Sequence, residues 1–157
     1  MTTSDFPSRS LQGRRALITG SSDGLGLAMA QGLAQAGCDV VLHGLLPAAE
    51  MSALCSAWRD RHQVKVHYIE ADVSHRDGVL RLHESACAAT GAPDILLNNA
   101  VVRHFGPLET LTYEDWQQAL AVNVSAAFGL IQCAAMRMCW LHLGVSGRWP
   151  KRSWDCM

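Results

Sequence analysis

The chain has 157 residues, of which 49% are hydrophobic and 17% are charged, a composition typical of one globular domain with its own interior. A formal net charge of −1 gives no electrostatic basis for binding nucleic acid or an anionic membrane, so neither is expected as a partner. The sequence predicts no signal peptide and no membrane span. Its six cysteines and seven histidines show no metal-ligand spacing, so we expect a cytoplasmic protein without a bound metal.

Four short apolar runs, each followed by a segment of helical periodicity, organise residues 14–136. The predicted strands are residues 16–18, 38–43, 64–70 and 94–97. Alternation of strands and helices is typical of a doubly wound parallel sheet, an α/β fold of Rossmann type, with the spatial order 3-2-1-4. Residues 1–13 are predicted to form an arm that leads into the first strand.

Two of the predicted helices carry apolar residues at positions that recur with helical spacing. In the first helix these positions are Leu25, Met29, Leu33 and Ala36, and Gly37 ends it. In the long helix after residue 112 they are Trp116, Leu120, Val124, Phe128, Ile131 and Ala135. Ser74 with Asp77 predicts a start like a capping box for one helix, and Thr112 and Asp115 are predicted to cap another.

A glycine-rich loop separates the first predicted strand from its helix, with Gly20, Gly24 and Gly26 in it. Without a Cβ atom the backbone turns tightly, and a phosphate group can approach it closely. The free N–H groups and the positive end of the helix dipole then favour negative charge. This loop is therefore predicted to hold a pyrophosphate, although ordinary strand–turn–helix loops also use glycine.

The motif Thr-Gly-x-x-x-Gly-x-Gly, from Thr19 to Gly26, resembles the cofactor loop of the short-chain dehydrogenase/reductase family. The resemblance implies cofactor contacts from Gly20, Ser22, Asp23, Gly24, Leu25 and Gly26. It extends to Asp72-Val73, where the family uses the aspartate to hydrogen-bond adenine, and to Asn98-Asn99-Ala100, where Asn99 and Ala100 line the cofactor beside its ribose. The family has glycine where this chain has Val101, whose β-branched side chain crowds the backbone near the cofactor. Taken alone, Asp72 also suits a helix cap or a loop.

Asn123 matches the asparagine that the family uses in its catalytic proton relay. It lies beside the apolar stripe of its helix, and a buried amide must find partners, so a purely structural amide is the alternative interpretation.

Within the family, three segments are similar to bacterial D-3-hydroxybutyrate dehydrogenases: residues 40–44, 98–109 and 123–128. Those enzymes usually have a glutamine that contacts the substrate carboxylate where this chain has Arg103. An arginine can bind a carboxylate bidentately, so the resemblance implies a small hydroxy or keto acid as substrate. An exposed loop arginine is the alternative interpretation of Arg103.

Two signals bear on the choice of cofactor. Members of the family that use NADP often carry a basic residue in the glycine loop or after the second strand, whereas this chain has Asp23 and Leu45-Leu46 there. Because Asp23 would repel a 2′-phosphate, NAD is predicted and NADP is less favoured. The acidic residue that NAD users place at the end of the second strand is also missing.

The family's Tyr-x-x-x-Lys pair does not occur in this sequence, whose only tyrosines are Tyr68 and Tyr113. Spacing from Asn123 places that tyrosine just beyond Met157, so the chain is expected to hold the cofactor half of a C-terminally truncated fold. Residues 137–157 are basic and rich in tryptophan, which indicates either a genuine but unusual tail or an out-of-frame segment.

Three functions remain open from the sequence. The first is an NAD-dependent 3-hydroxybutyrate dehydrogenase, of which this chain is the N-terminal part. The full-length version is expected to be a homo-oligomer, and this chain is expected to be inactive alone. The others are an NADPH-dependent 3-oxoacyl reductase and a non-catalytic nucleotide-binding fragment.

Overall fold

The computed structural model of the chain describes the backbone of residues 9–143 and the side chains of residues 9–135. Within them, four strands alternate with helices along the chain. The strands are β1 (Arg15–Ile18), β2 (Asp39–Gly44), β3 (Val66–Glu70) and β4 (Ile95–Leu97). The α-helices are α1 (Gly24–Gln35), α2 (Ala48–His62), α3 (Arg76–Thr90), α4 (Tyr113–Leu120) and α5 (Ala126–Leu143).

The four strands form one parallel sheet in the order β3-β2-β1-β4. The predicted fold class and strand order are thus confirmed. In the register, Ile18 of β1 lies opposite Leu42 of β2 and Leu97 of β4, so these strands end at the same edge of the sheet. All four strands therefore direct the loops that follow them to one side of the molecule, which is where doubly wound folds bind ligands.

Apolar side chains cover both faces of the sheet. One cluster holds Ile18, Val40, Leu42 and Val66 together with residues of α1 and α2. The other holds Leu17 and Val41 together with residues of α3 and α5. The two clusters make this a three-layer fold, with the sheet in the middle.

Helix α1 turns a face of small residues to the sheet. Its buried residues are Gly26, Ala30 and Ala34, whereas Leu25 is 71% exposed. The face of small residues brings the helix close to the sheet directly after the glycine loop. The apolar spacing that starts at Leu25 predicts the helix but does not identify its buried face.

Helices α4 and α5 are joined by a π-helical turn, Ala121–Ser125. The predicted cap at Thr112 and Asp115 is confirmed, and it is a capping box: the Thr112 side chain accepts the N–H of Asp115, and the Asp115 carboxylate accepts the N–H of Thr112. The buried face of this helical stretch consists of Val122, Ala126, Leu130 and Ala134. Four of the apolar residues that recur along this stretch are 51–59% exposed: Trp116, Val124, Phe128 and Ile131.

The stretch Tyr113–Ala135 is long and apolar enough to cross a membrane by length and composition, with a mean hydropathy of 1.4. This property was not anticipated from the sequence. Val122, Ala126 and Leu130 pack into the core cluster against the sheet, as the helix of a doubly wound fold does.

The predicted capping box at Ser74 is wrong. Helix α3 begins after His75, and no side chain caps it. Ser74 instead donates its backbone N–H to the Asp72 carboxylate at 2.8 Å.

At the two ends of the chain, residues 9–13 form a turn in which Leu11 donates its N–H to the carbonyl oxygen of Ala36. Helix α5 continues to Leu143, within the segment predicted as an atypical tail. Residues 1–8 of the predicted arm and residues 144–157 of that tail lie outside the described residues.

Candidate functional site: a nucleotide cradle at the ends of the strands

The glycine loop follows β1 and depends on glycine at two positions for steric reasons. Gly20 has φ +60°, and a Cβ on it would lie 2.7 Å from the Cα of Ala100. A Cβ on Gly26 would lie 2.2 Å from the carbonyl oxygen of Gly20 and 2.5 Å from Nδ2 of Asn99. Both distances are shorter than real Cβ contacts, so any side chain at either position forces the loop apart.

The N-terminus of α1 is open to a ligand. Asp23 precedes the helix, but its side chain makes no capping hydrogen bond. The backbone carbonyl oxygen of Asp23 accepts the N–H of Leu27, in the first turn of the helix. Gly24 has φ +52°, and a Cβ built on it would meet no atom within 4 Å. Uncapped N–H groups at the positive end of a helix, beside an open glycine, fit a pyrophosphate.

Thr19 and Asn99 connect the glycine loop to the segment after β4. Thr19 Oγ1 accepts the N–H groups of Asn99 and Ala100 at 2.9 and 3.0 Å. Asn99 Nδ2 donates to the carbonyl oxygens of Thr19 and Gly20 at 3.1 and 2.7 Å. The structure therefore brings Gly20, Gly26, Asn99 and Ala100 into one cluster.

Two buried polar residues that were not predicted as site residues hold this cluster against β2. The Gly20 N–H donates to Nδ1 of His43 at 3.2 Å, and Nε2 of His43 is 3.0 Å from the carbonyl oxygen of Ala71. His43 Nε2 therefore carries the proton, which it donates, and Nδ1 accepts. Ser21 Oγ donates to Ile18 and accepts the N–H of His43. The available signal was a histidine inside an apolar strand, because such a group must be hydrogen-bonded when buried.

Burial lowers the pKa of His43, and this effect outweighs the hydrogen bond to Ala71 and the nearby charge of Asp72. The ring is 2% exposed, so its neutral form is the one that fits the network.

Asp72 lies in the turn after β3. Its carboxylate accepts the Ser74 N–H, and this hydrogen bond, with a second from the Ser74 side chain, lowers the pKa of Asp72. Val73 is 5% exposed and packs in the core cluster with Val41, so its side chain faces away from solvent. A contact from Asp72 to a nucleotide base stays a prediction, and Val73 can offer only its backbone.

Asn123 lies in the π-helical turn and is exposed, not buried as expected. Its Oδ1 accepts the N–H of Val102 at 2.8 Å, and its Nδ2 donates to the carbonyl oxygen of Val102 at 3.0 Å. Turns of π-helix are frequent at functional sites. The contact fixes the loop after β4 to the helix that faces it.

Arg103 follows Val102 in this loop and is exposed. In the next residue, His104, the ring Nδ1 lies 3.2 Å from the Asp115 carboxylate. The loop is thus anchored on both sides of Arg103, by Asn123 and by Asp115. This anchoring presents the guanidinium to solvent at a defined place.

A comparison with known proteins places the chain in a family. A family model described as short chain dehydrogenase matches residues 14–147. The chain belongs to the short-chain dehydrogenase family. The match continues past residue 137, where the atypical tail was predicted to begin, and the resemblance seen in the sequence is confirmed. Members of this family are oxidoreductases that use a nicotinamide cofactor.

Curated relatives in the short-chain dehydrogenase family differ in substrate. Gluconate 5-dehydrogenase from Gluconobacter oxydans (strain 621H) is 36% identical over 129 residues, which are 82% of this chain and 50% of that protein. D-beta-hydroxybutyrate dehydrogenase from Cupriavidus necator is 33% identical over 119 residues, which are 75% of this chain and 45% of that protein. The chain spans about half the length of these relatives.

A solved structure has a similar fold over the aligned part of the chain. The L-sorbose reductase from Gluconobacter frateurii, complexed with NADPH and L-sorbose, aligns with a TM-score of 0.77 at 30% identity. The alignment covers 83% of this chain and 49% of that one.

No group of three or more histidine, cysteine, aspartate or glutamate side chains able to hold a metal occurs among the described residues.

Proposed function

We propose that this chain is the nucleotide-binding part of an NAD-dependent dehydrogenase that acts on a small hydroxy acid, of the 3-hydroxybutyrate type. The observation that carries the proposal is the uncapped N-terminus of α1 next to the close-packed glycines. Gly20 and Gly26 keep the loop tight, and Gly24 leaves its outer side open. This arrangement suits a pyrophosphate lying from Gly20 to Gly26, with Ser22, Asp23 and Leu25 beside it.

The remaining proposed contacts to the cofactor come from residues that follow β3 and β4. We assign Asp72, with the Val73 backbone, to the adenine, and Asn99 with Ala100 to the nicotinamide end. When bound, the nicotinamide donates or accepts the hydride. Asn123 belongs to the proton relay in this proposal, as a residue that positions the loop after β4 through Val102.

The substrate class rests on Arg103. A guanidinium exposed between two anchored loop residues can bind a carboxylate bidentately. Two relatives are named for substrates that carry a carboxylate, 3-hydroxybutyrate and gluconate, which supports a hydroxy acid over a neutral polyol. The family resemblance also supports a homo-oligomer for the full-length protein, and a cytoplasmic location stays a prediction.

The choice of NAD over NADP rests on charge. Asp23 is exposed in the glycine loop, and Leu45 and Leu46 follow β2 without a basic residue. The NADPH held by the L-sorbose reductase argues in the other direction, since that protein shares the fold. An NADPH-dependent reductase is therefore the second candidate.

The test is a titration of the purified chain with NADH, monitored by nucleotide fluorescence. We expect saturable binding that Gly26→Ala weakens by about tenfold or more, because the new Cβ displaces the Gly20 carbonyl and Asn99. Gly32→Ala is the matched control, since it makes the same change in the same helix with no atom within 4 Å. Absence of binding by the unmodified chain, or equal binding by both variants, contradicts the proposal.

A further inference from the structure

The end of β2 does not carry the acidic residue that usually selects NAD. Gly44 ends β2, about 20 residues after the glycine loop, where dinucleotide folds place an aspartate or glutamate for the ribose 2′-hydroxyl. A Cβ on Gly44 would lie 2.7 Å from Ser22 Oγ and 3.0 Å from the Tyr68 hydroxyl. Gly44 itself has no side chain that could contact the ribose, and a larger residue would require the Ser22 and Tyr68 side chains to move, so a selecting group in this chain comes from elsewhere.

A carboxylate reaches the same place from the neighbouring strand. Glu70 ends β3 and is the register partner of Gly44. Val66 and Tyr68, four and two residues before it, pack on the face of α1 and α2, so Glu70 falls on that face by strand alternation. Its Oε2 accepts the N–H of Ala48 at 3.2 Å.

This contact occupies the anion-binding end of α2. Ala48 is the first residue of the helix, and Pro47 before it has no N–H to offer. A phosphate that approached this helix start would meet a carboxylate already bound there, whereas a hydroxyl could donate to that carboxylate. Asp23 and Asp72, in the adjacent loops, add negative charge to the same side of the sheet.

We propose that Glu70 is the residue that determines cofactor specificity, accepting the ribose 2′-hydroxyl and repelling a 2′-phosphate. The inference rests on the proposed nucleotide-binding function. It assigns to β3 a role that the dinucleotide fold otherwise gives to β2.

One cation competes with this assignment. Arg81 of α3 lines a cavity of about 390 Å³ together with Leu45, Glu70 and Asp72. If a 2′-phosphate entered this cavity, Arg81 would attract it. The experiment therefore has to distinguish the effect of Arg81 on NADPH binding from that of Glu70.

The experiment measures dissociation constants of the purified chain for NADH and NADPH by fluorescence, at low and at high salt. We expect NADH to bind more tightly. Glu70→Gln keeps an oxygen for the Ala48 N–H but removes the charge, so NADPH affinity should rise roughly tenfold and NADH affinity fall about threefold. The preference of the unmodified chain for NADH should shrink at high salt, because the repulsion is screened.

Two variants complete the design. Glu84→Gln removes an exposed glutamate from α3 and should leave the preference unchanged. Arg81→Gln should leave NADPH binding unchanged. An unaltered ratio in Glu70→Gln, or loss of NADPH binding in Arg81→Gln, overturns the assignment while nucleotide binding itself stands. Failure of the unmodified chain to bind either nucleotide overturns the proposed function, and this inference with it.

Discussion

His43 joins the ends of three strands through its ring. It accepts the Gly20 N–H from the loop after β1, donates to Ala71 after β3, and itself belongs to β2. Because Nδ1 must be unprotonated to accept, a proton added to His43 removes the bond to Gly20. The glycine loop thus depends on the protonation state of a residue that need not touch a nucleotide.

We predict that the chain loses stability below about pH 6.5 and that His43 accounts for a measurable part of the loss. Burial lowers the pKa of His43 in the folded state from its ordinary value of 6.5. Below that value the unfolded chain takes up a proton that the folded chain does not, so the free energy of unfolding falls as the pH falls. Urea denaturation between about pH 8 and pH 5 measures the slope.

The control for this prediction is another histidine. Burial also lowers the pKa values of His62 and His67, so they contribute to the same slope. His43→Asn should reduce the slope more than His67→Gln does, since His43 is the more deeply buried. A slope that His43→Asn leaves unchanged would show that the loop tolerates the charged ring.

The residues that could be predicted from the sequence are those whose chemistry follows from position alone. Gly20 and Gly26 lie between a strand and a helix, and the structure shows the close contacts that exclude a side chain there. Ser21 and His43 were missed because their roles depend on hydrogen bonds between segments about 22 residues apart. Asn123 was correctly predicted to lie in a helical stretch. It lies in a π-helical turn, however, and no sequence pattern predicted that turn.

At the scale of elements, the apolar pattern of α4 and α5 predicted a helix but not its buried face. Both sides of the stretch carry large apolar residues, so periodicity alone cannot select one. The small residues Ala126 and Ala134 allow close approach and are buried, as Gly26 and Ala30 are in α1. The strands were easier to predict because the central ones are buried on both faces and appear as continuous apolar runs.

The exposed side of these helices forms an apolar stripe consisting of Trp116, Val124, Phe128 and Ile131. Phe128 also lines a cavity of about 780 Å³ between α3 and α5. Exposed apolar surface of this kind favours association. We therefore predict that the purified chain self-associates and that Phe128→Glu shifts it toward monomer, as measured by size-exclusion chromatography with light scattering.

Gln118→Glu is the matched control for this stripe. It adds the same charge to an exposed position of α4 outside the stripe and should leave the association unchanged. A monomeric wild-type chain, or an equal effect of the two variants, would exclude the stripe as the associating surface.

For the whole molecule, the sheet has an open edge. Strand β4 pairs with β1 on one side, and no other described strand pairs with its free edge. The chain covers about half the length of the curated relatives it matches. An unpaired strand edge adds to the association expected from the apolar stripe and favours poor solubility.

The chain of 157 residues, taken by itself, should bind a nucleotide without oxidising a hydroxy acid. Hydride transfer from a secondary alcohol requires a group that takes the proton, and such help is typically worth about two to four orders of magnitude in rate. Asn123 cannot titrate near neutral pH, and its amide is engaged with Val102. Of the two tyrosines, Tyr68 donates its hydroxyl to Leu46, and burial raises its pKa, which makes it a poorer base at neutral pH. Neither tyrosine is followed four residues later by a lysine, since Asp72 and Gln117 stand at those positions.

We expect no measurable formation of NADH when the purified chain is mixed with NAD and 3-hydroxybutyrate, under conditions where fluorescence shows that the nucleotide is bound. A rate typical of an enzyme would contradict this, and its loss in Tyr68→Phe would identify Tyr68 as the base. Binding without turnover would separate cofactor binding from proton transfer. The glycine loop, which His43 holds in place, and Asn99 would then bind the cofactor in a chain that supplies no group to take the proton from the alcohol.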